Sequence, residues 1–407
     1  MATNIFNSMM RKCYYAIIAF VFFFVSCDKI QEVSMDGSGG EPVAVNPQAS
    51  LFYSNLSEII KATTIPGLMT KSALDAEMNH TAAFYLENDI DYPVQAKLAT
   101  IDIETEDGNI ISFYDLPEED QVEFVDMYTQ HQAQLLSEKI EQLPVLEQYV
   151  EAQNEVVAEV LAGNSVNTKS GGYQIDDPRA FFAEMSSRID SLSTSFEYDT
   201  EAIRSKSGSY TSGKFEVEFN KVRKLLANKA KRGDIIVALP CHENPRSLID
   251  FGNKKYLVGH AEIFTEDITA STEEGAYTTI GSWKEDGVQD RTLENWCWKS
   301  YLVGVCSYKV KWKWRGLKSR FYAVKTPVSN SSLLATWAEK YEDRAYVKDY
   351  EFLTAKWAAP TRFTCTTLVW WCTKKAYGER ISPWYSTLVT PSDVLCDNNT
   401  YLKVTIE

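Results

Sequence analysis

A chain of 407 residues, 44% hydrophobic and 13% aromatic, has room for two or three domains with well-formed cores, which excludes a largely disordered protein. Its formal net charge of −15 argues against nucleic acid as a partner, because an acidic surface repels phosphates. The eight cysteines follow no regular spacing, and neither Cys-x-x-Cys nor His-x-x-x-His occurs, so neither a disulfide scaffold nor a structural zinc site is expected. No metal or organic cofactor is implied.

In chain order, Arg11-Lys12 precede an apolar run from Tyr14 to Val25, short for a membrane span and readable as the core of a targeting segment. The run ends in Val25-Ser26-Cys27. This resembles a bacterial lipoprotein signal, which implies a signal peptide over residues 1–26 and a lipid on Cys27. An uncleaved N-terminal anchor is the alternative, and either one holds the protein on a membrane outside the cytoplasm. Asp28 and Glu32 loosely resemble the surface-export signals of Bacteroidetes lipoproteins. The expected location is the cell envelope, with outer membrane or cell surface favoured over the inner membrane. Residues 27–50, rich in Gly, Ser, Pro and acids, read as a flexible tether.

Residues 51–204 read as a mainly helical domain. Lys97 to Glu104 alternates, Asp107-Gly108-Asn109 turns, and Ile110 to Tyr114 returns, which predicts one hairpin. Pro117-Glu118-Glu119-Asp120 then opens a helix in which Phe124, Val125, Tyr128, Leu135, Leu136 and Ile140 recur at helical spacing. Pro144 interrupts it, and a second helix continues to Leu161 before Gly163-Asn164. Asp177-Pro178, a cap followed by proline at the first helical position, starts a third. His80 and His131 lie here without catalytic partners and are expected to be exposed or hydrogen-bonded structural residues. Positioning or partner binding is the role expected of this domain.

A Gly/Ser-containing linker at 205–214 leads to a second domain at 215–407. It opens with a helix from about Phe215 to Lys229, followed by Gly233-Asp234 and a strand from Ile235 to Leu239. Farther on, Tyr308, Val310, Trp312 and Trp314 alternate with Lys309, Lys311, Lys313 and Arg315, giving one strand with an apolar and a cationic face. A half-buried strand with a solvated outer face is the simple reading. The sharper one is that the cations attract carboxylates of a peptide stem or a lipid head group.

Chemistry is carried by Phe363-Thr364-Cys365-Thr366-Thr367 and the apolar run Leu368 to Trp371. Thr364 is placed to cap a helix, which puts the Cys365 thiol in the first turn, at the positive end of the helix dipole, where thiolate is favoured over thiol. His260, in the strand-like run Tyr256 to Phe264, is the candidate base; His242, in a turn beside Glu243-Asn244-Pro245, is the second choice. The competing reading is that Cys365 is a buried, apolar-like cysteine.

The order of Gly233-Asp234-Ile235-Ile236-Val237, the His260 strand, the Cys365 helix and Val389-Thr390-Pro391-Ser392-Asp393-Val394-Leu395 resembles the circularly permuted branch of the NlpC/P60 superfamily, the YiiX-like and YaeF-like proteins. Ordinary papain-like enzymes have the cysteine first. The resemblance covers the second domain only. It implies an α+β fold, with an antiparallel sheet or small barrel packed on helices, and a hydrolase distantly related to cell-wall enzymes. Many such relatives carry an acid on the strand after the histidine, where this chain has Gly281 in Thr278-Thr279-Ile280-Gly281-Ser282. Glu262 is the substitute: two residues along a strand, it points to the face of His260 and can orient the imidazole as the third member of a triad does. A charged residue at a strand end is the plainer account of Glu262, and Ser282 is a further candidate for the third group.

The expected function is a membrane-anchored cysteine hydrolase that cleaves an amide in cell-wall peptide or a related compound through a Cys365 acyl-enzyme. The alternatives are a lipid amide or ester hydrolase or acyltransferase of the same fold, and a noncatalytic surface binding lipoprotein for which Gly281 is the main argument.

Overall fold

The computed structural model describes residues 45–64, 98, 101–167, 172–198, 219–240, 248–251, 254–296, 303–308, 310–317, 320–328, 330–349, 352, 355–378, 381 and 385–406. The lipoprotein-type signal with Cys27, most of the tether, the 205–214 linker, His80 and His242 lie outside the described residues. Among the described residues no helix is long and apolar enough to cross a membrane.

The protein is mixed α+β. Its first part comprises α1 (Pro47–Thr64), the hairpin β1 (Asp102–Glu104) and β2 (Ile110–Ser112), the long helices α2 (Glu118–Gln142) and α3 (Leu146–Asn164), the hairpin β3 (Ser165–Asn167) and β4 (Tyr173–Ile175), and α4 (Pro178–Ser195). Local chemistry sets these boundaries. Asp177 caps α4 by accepting the Ala180 N–H at 3.0 Å, with Pro178 next to it where a missing N–H costs nothing. Asn46 caps α1, accepting from Gln48 at 2.9 Å and Ala49 at 3.2 Å, so the helix begins before the end of the stretch assigned from sequence to the tether.

α5 (Phe219–Leu226) leads to β5 (Ile235–Ala238), the hairpin β6 (Leu248–Phe251) and β7 (Lys254–Leu257), β8 (His260–Phe264), and the hairpin β9 (Tyr277–Trp283) and β10 (Gly287–Thr292). Then come β11 (Val303–Ser307), β12 (Val310–Leu317), β13 (Arg320–Pro327), α6 (Leu333–Glu339), β14 (Ala345–Tyr346), α7 (Ala355–Ala358), β15 (Arg362–Phe363), α8 (Cys365–Tyr377), α9 (Pro391–Cys396) and β16 (Tyr401–Ile406).

The main sheet is antiparallel throughout, in the order β10-β9-β8-β5-β11-β16. β5 is buried along its whole length because both faces are covered: Ile235 and Val237 join the large core with α6 and α8, whereas Ile236 and Ala238 meet Val222 and Leu226 of α5 and Trp296. A run of consecutive apolar residues is what a strand covered on both faces requires. Gly233, just ahead of β5, has φ +88° and lies directly under the Ser331 carbonyl, leaving no room for a side chain.

One apolar core runs from the helices into the sheet, containing Leu56, Tyr128 and Tyr149 as well as Ile263, Val369 and Trp370. A four-stranded sheet, β13-β12-β1-β2, also joins the two parts, with β1 parallel to β12. The apolar face of β12 packs on α2, where Trp314 lies 5.2 Å from Phe124 and 5.4 Å from Tyr128. Its cationic face turns to Glu104 of β1, which takes Lys313 at 2.9 Å and Arg315 at 3.4 Å. His131 departs from expectation. It is buried, wedged 4.9 Å from Trp312 and 5.4 Å from Trp314 with Nε2 unpartnered, and burial lowers its pKa to about 4, so it is a neutral core side chain rather than an exposed or hydrogen-bonded one.

Polar contacts pin the same seam. The buried Lys139 ammonium of α2 donates to the carbonyls of Leu395, at 2.9 Å, and Asp397, and to Thr400 Oγ1 at 3.0 Å. From α4, Asp190 accepts from the Ser386 and Thr387 hydroxyls and from the Leu388 N–H. Beyond the helix, the Tyr198 hydroxyl donates to Ser392 at 2.9 Å.

Candidate active site

α8 begins where the sequence places it. Thr364 is extended, and its hydroxyl accepts the Thr367 N–H at 3.1 Å while Thr367 Oγ1 accepts the Thr364 N–H at 2.7 Å, a reciprocal cap that ties off two backbone donors. Cys365 is the first helical residue, and Leu368, Val369, Trp370 and Trp371 are buried behind it against β8 and β9. The helix therefore has its axis fixed by packing and its N-terminus fixed by the cap. The thiol between them has little freedom, being 3% exposed.

His260, the first residue of β8, is 5% exposed and lies near enough to Cys365 for each to perturb the other's ionisation. Its Nε2–H donates to Glu262 Oε1 at 3.1 Å. The structure thus brings Cys365, His260 and Glu262 together. Burial alone would lower the imidazole pKa, but the Cys365 sulfur and the Glu262 carboxylate beside it prevail and raise it to about 9. Burial likewise opposes the thiolate. The neighbouring imidazolium outweighs it, helped by the backbone N–H groups of Ala261 and Thr366, and brings the thiol below its ordinary value.

Glu262 has no exposed surface, so it is not a charged residue at a solvated strand end. Four donors fill its two oxygens: His260 Nε2 and Trp283 Nε1 (3.0 Å) on Oε1, and Thr279 Oγ1 (2.7 Å) and Trp296 Nε1 (2.7 Å) on Oε2. These bonds overcome the cost of burial and hold the carboxyl below the usual carboxylate range, hence ionised. The same two indoles flank the imidazole, with Trp283 at 4.2 Å and Trp296 at 5.7 Å between ring centroids. Neither tryptophan stands out in the sequence; the only signal is the count of tryptophans in this half of the chain.

Gly281 has a direct structural reason. It follows Ile280, which pairs with Ile263 across the β8–β9 ladder, and so lies beside Glu262. A side chain at 281 would place its first carbon 3.0 Å from Glu262 Cδ and 3.1 Å from Oε1, and closer still to Cγ. The glycine is the space that the glutamate occupies. Ser282 is engaged elsewhere, its hydroxyl donating to the Phe363 carbonyl at 2.9 Å and tying β9 to the strand that enters α8.

The other thiols of the described residues contrast with Cys365. Cys306, Cys372 and Cys396 are free, and burial pushes each of them up, Cys306 and Cys396 to about 12. Among the described residues no cluster of His, Cys, Asp and Glu could hold a metal ion.

Comparison with family models, curated proteins and solved structures finds no match to this chain.

Proposed function

We propose that this protein is a cysteine hydrolase that cleaves an amide bond through an acyl-enzyme on Cys365, built on a circularly permuted papain-like fold of the NlpC/P60 type. The observation that carries the reading is the placement of His260 beside Cys365 with its Nε2–H held by an ionised, fully buried Glu262. A histidine held this way stabilises the thiolate as an ion pair and keeps a proton ready for the leaving group. The thiolate adds to the carbonyl, the imidazolium protonates the departing amine, and water, deprotonated by the same imidazole, releases the acid. The Cys365 N–H at the start of α8 faces the developing oxyanion. Gly281, the main argument for a noncatalytic relative, loses its force because the acid is supplied by Glu262 from the adjacent strand. The substrate belongs to the cell envelope, as cell-wall peptide or a lipid-like amide, and the chain is held there by lipid on Cys27.

The test is site-resolved alkylation by iodoacetamide across pH, followed by product analysis on muropeptides and on acyl amides. Cys365 is expected to react well below the free-thiol pKa of about 8.5, and more slowly in His260→Ala. If Cys365 reacts no faster than Cys372 or Cys396 and ignores His260→Ala, the hydrolase reading fails. Turnover of acyl amides but not muropeptides would select the lipid-like substrate.

A further inference from the structure

We infer that Asp190 of α4, in the helical half of the chain, is a positioning residue for Cys365 and His260, keeping the two in register through residues 386–391. This rests on the cysteine-hydrolase reading above. Residues 385–390 form neither helix nor strand, so contacts from elsewhere must fix them and satisfy their polar groups. Asp190 supplies three. One carboxylate oxygen accepts from the Ser386 hydroxyl and, at 3.2 Å, from the Leu388 N–H, and the other accepts from the Thr387 hydroxyl at 2.6 Å. Asp190, Ser386 and Leu388 are buried, so a bond lost among them is not made good by bulk water.

The segment held in this way abuts the neighbours of both site residues. The Val389 carbonyl accepts from Thr366 Oγ1 at 2.5 Å, and Thr366 follows Cys365 and favours the thiolate through its backbone N–H. Two residues farther on, Pro391 packs on Gly259, the residue before His260. Gly259 has φ +67°, and a side chain there would place its first carbon 3.1 Å from Pro391 Cγ. The far end of the segment is also held from the helical half: the Tyr149 hydroxyl of α3 donates to Asp393 Oδ1 at 3.2 Å, and Asp393 Oδ2 accepts the Thr390 N–H at 2.8 Å.

One stretch of chain therefore braces the first turn of α8 and the first residue of β8 against each other. The attraction between thiolate and imidazolium falls with their separation, so slack in the brace returns the thiol toward its ordinary ionisation. The acid that sets the brace comes from the part of the chain that the family resemblance does not cover, which gives the helices a share in the chemistry of the site.

A double-mutant cycle on Cys365 alkylation tests this route. Asp190→Asn keeps the shape of the side chain but turns an NH₂ group toward its donors, so at least one of the three bonds is lost. With folding checked by circular dichroism, reaction with iodoacetamide at pH 7 is expected to slow roughly 10-fold, and its pH profile to move up toward that of a free thiol. Thr366→Val, which removes the hydroxyl that meets Val389, is expected to do the same. Both cuts lie on one route, so the double variant should react no more slowly than the slower single variant. An Asp190→Asn profile identical to wild type would overturn the inference, as would a double variant whose loss is the product of the two. Should Asp190→Asn not fold, Thr387→Val cuts the same contact from the other side and takes its place in the cycle, with the same outcomes. Wild-type Cys365 that reacts no faster than Cys372 or Cys396 would instead remove the hydrolase reading beneath it.

Discussion

At Glu262, charge and burial are reconciled by the number of donors around it. Glutamine there has the same shape but offers an NH₂ group, which must face at least one of the four groups that now donate to the carboxylate. The imidazolium also loses its counter-charge. In Glu262→Gln, the His260 pKa is expected to fall from about 9 and Cys365 to lose its ion-pair partner, so that alkylation at pH 7 slows about 10-fold and its pH profile moves toward that of a free thiol. An unchanged profile would make Glu262 structural only. The proposed acyl-transfer step has an upper limit of its own. Expelling an amine needs the imidazolium proton, so acyl-enzyme formation on amides is expected to decline as pH rises through about 9, while alkylation, which needs only the thiolate, does not. Part of this arrangement is readable in the sequence: the two-residue period of a strand puts Glu262 on the face of His260. The donors that keep it ionised come from positions 279, 283 and 296, and nothing in their local sequence says that they converge.

Among the elements, α8 is the most legible, because a cap, a thiol and an apolar run are contiguous and their consequence is local. β9 is the least legible. Its Gly281 reads as a missing acid when taken alone and as a vacated site when seen beside β8. Gly281→Ala is expected to push the Glu262 side chain off its donors, since the new methyl carbon would sit within 3.1 Å of Oε1 and nearer to Cγ. The result should imitate Glu262→Gln in the alkylation profile and destabilise the protein by about 1–3 kcal/mol, measured by denaturant unfolding. A profile identical to wild type would show that the strands can part enough to admit the methyl group. The pairing of β1 with β12 is not foreseeable from either strand. Ile103 and Trp314 are partners in space, yet far apart in the chain, and β1 is too short to announce its neighbour.

Across the whole molecule, the helices and the site-bearing half share one core, and Lys139 is the most exacting contact between them. Its ammonium is buried and donates to the Leu395 carbonyl in the last turn of α9 and to the Asp397 carbonyl and Thr400 hydroxyl just beyond it. Lys139→Met keeps the volume of the side chain and strands those acceptors, and should cost about 2–4 kcal/mol in denaturant unfolding. None of those contacts involves Cys365, so the folded variant is expected to keep its alkylation profile; a shifted profile would mean that the seam also positions Cys365. The parallel pairing of β1 with β12 bears on inheritance. β12 finds its edge partner, and Trp314 its cover, in residues contributed by the first half of the chain. A recombination event that carried only the second half elsewhere would transplant Cys365 together with an open strand edge and a bare tryptophan face. The helices and the half that carries Cys365 are therefore expected to be inherited as one unit rather than as a portable cassette.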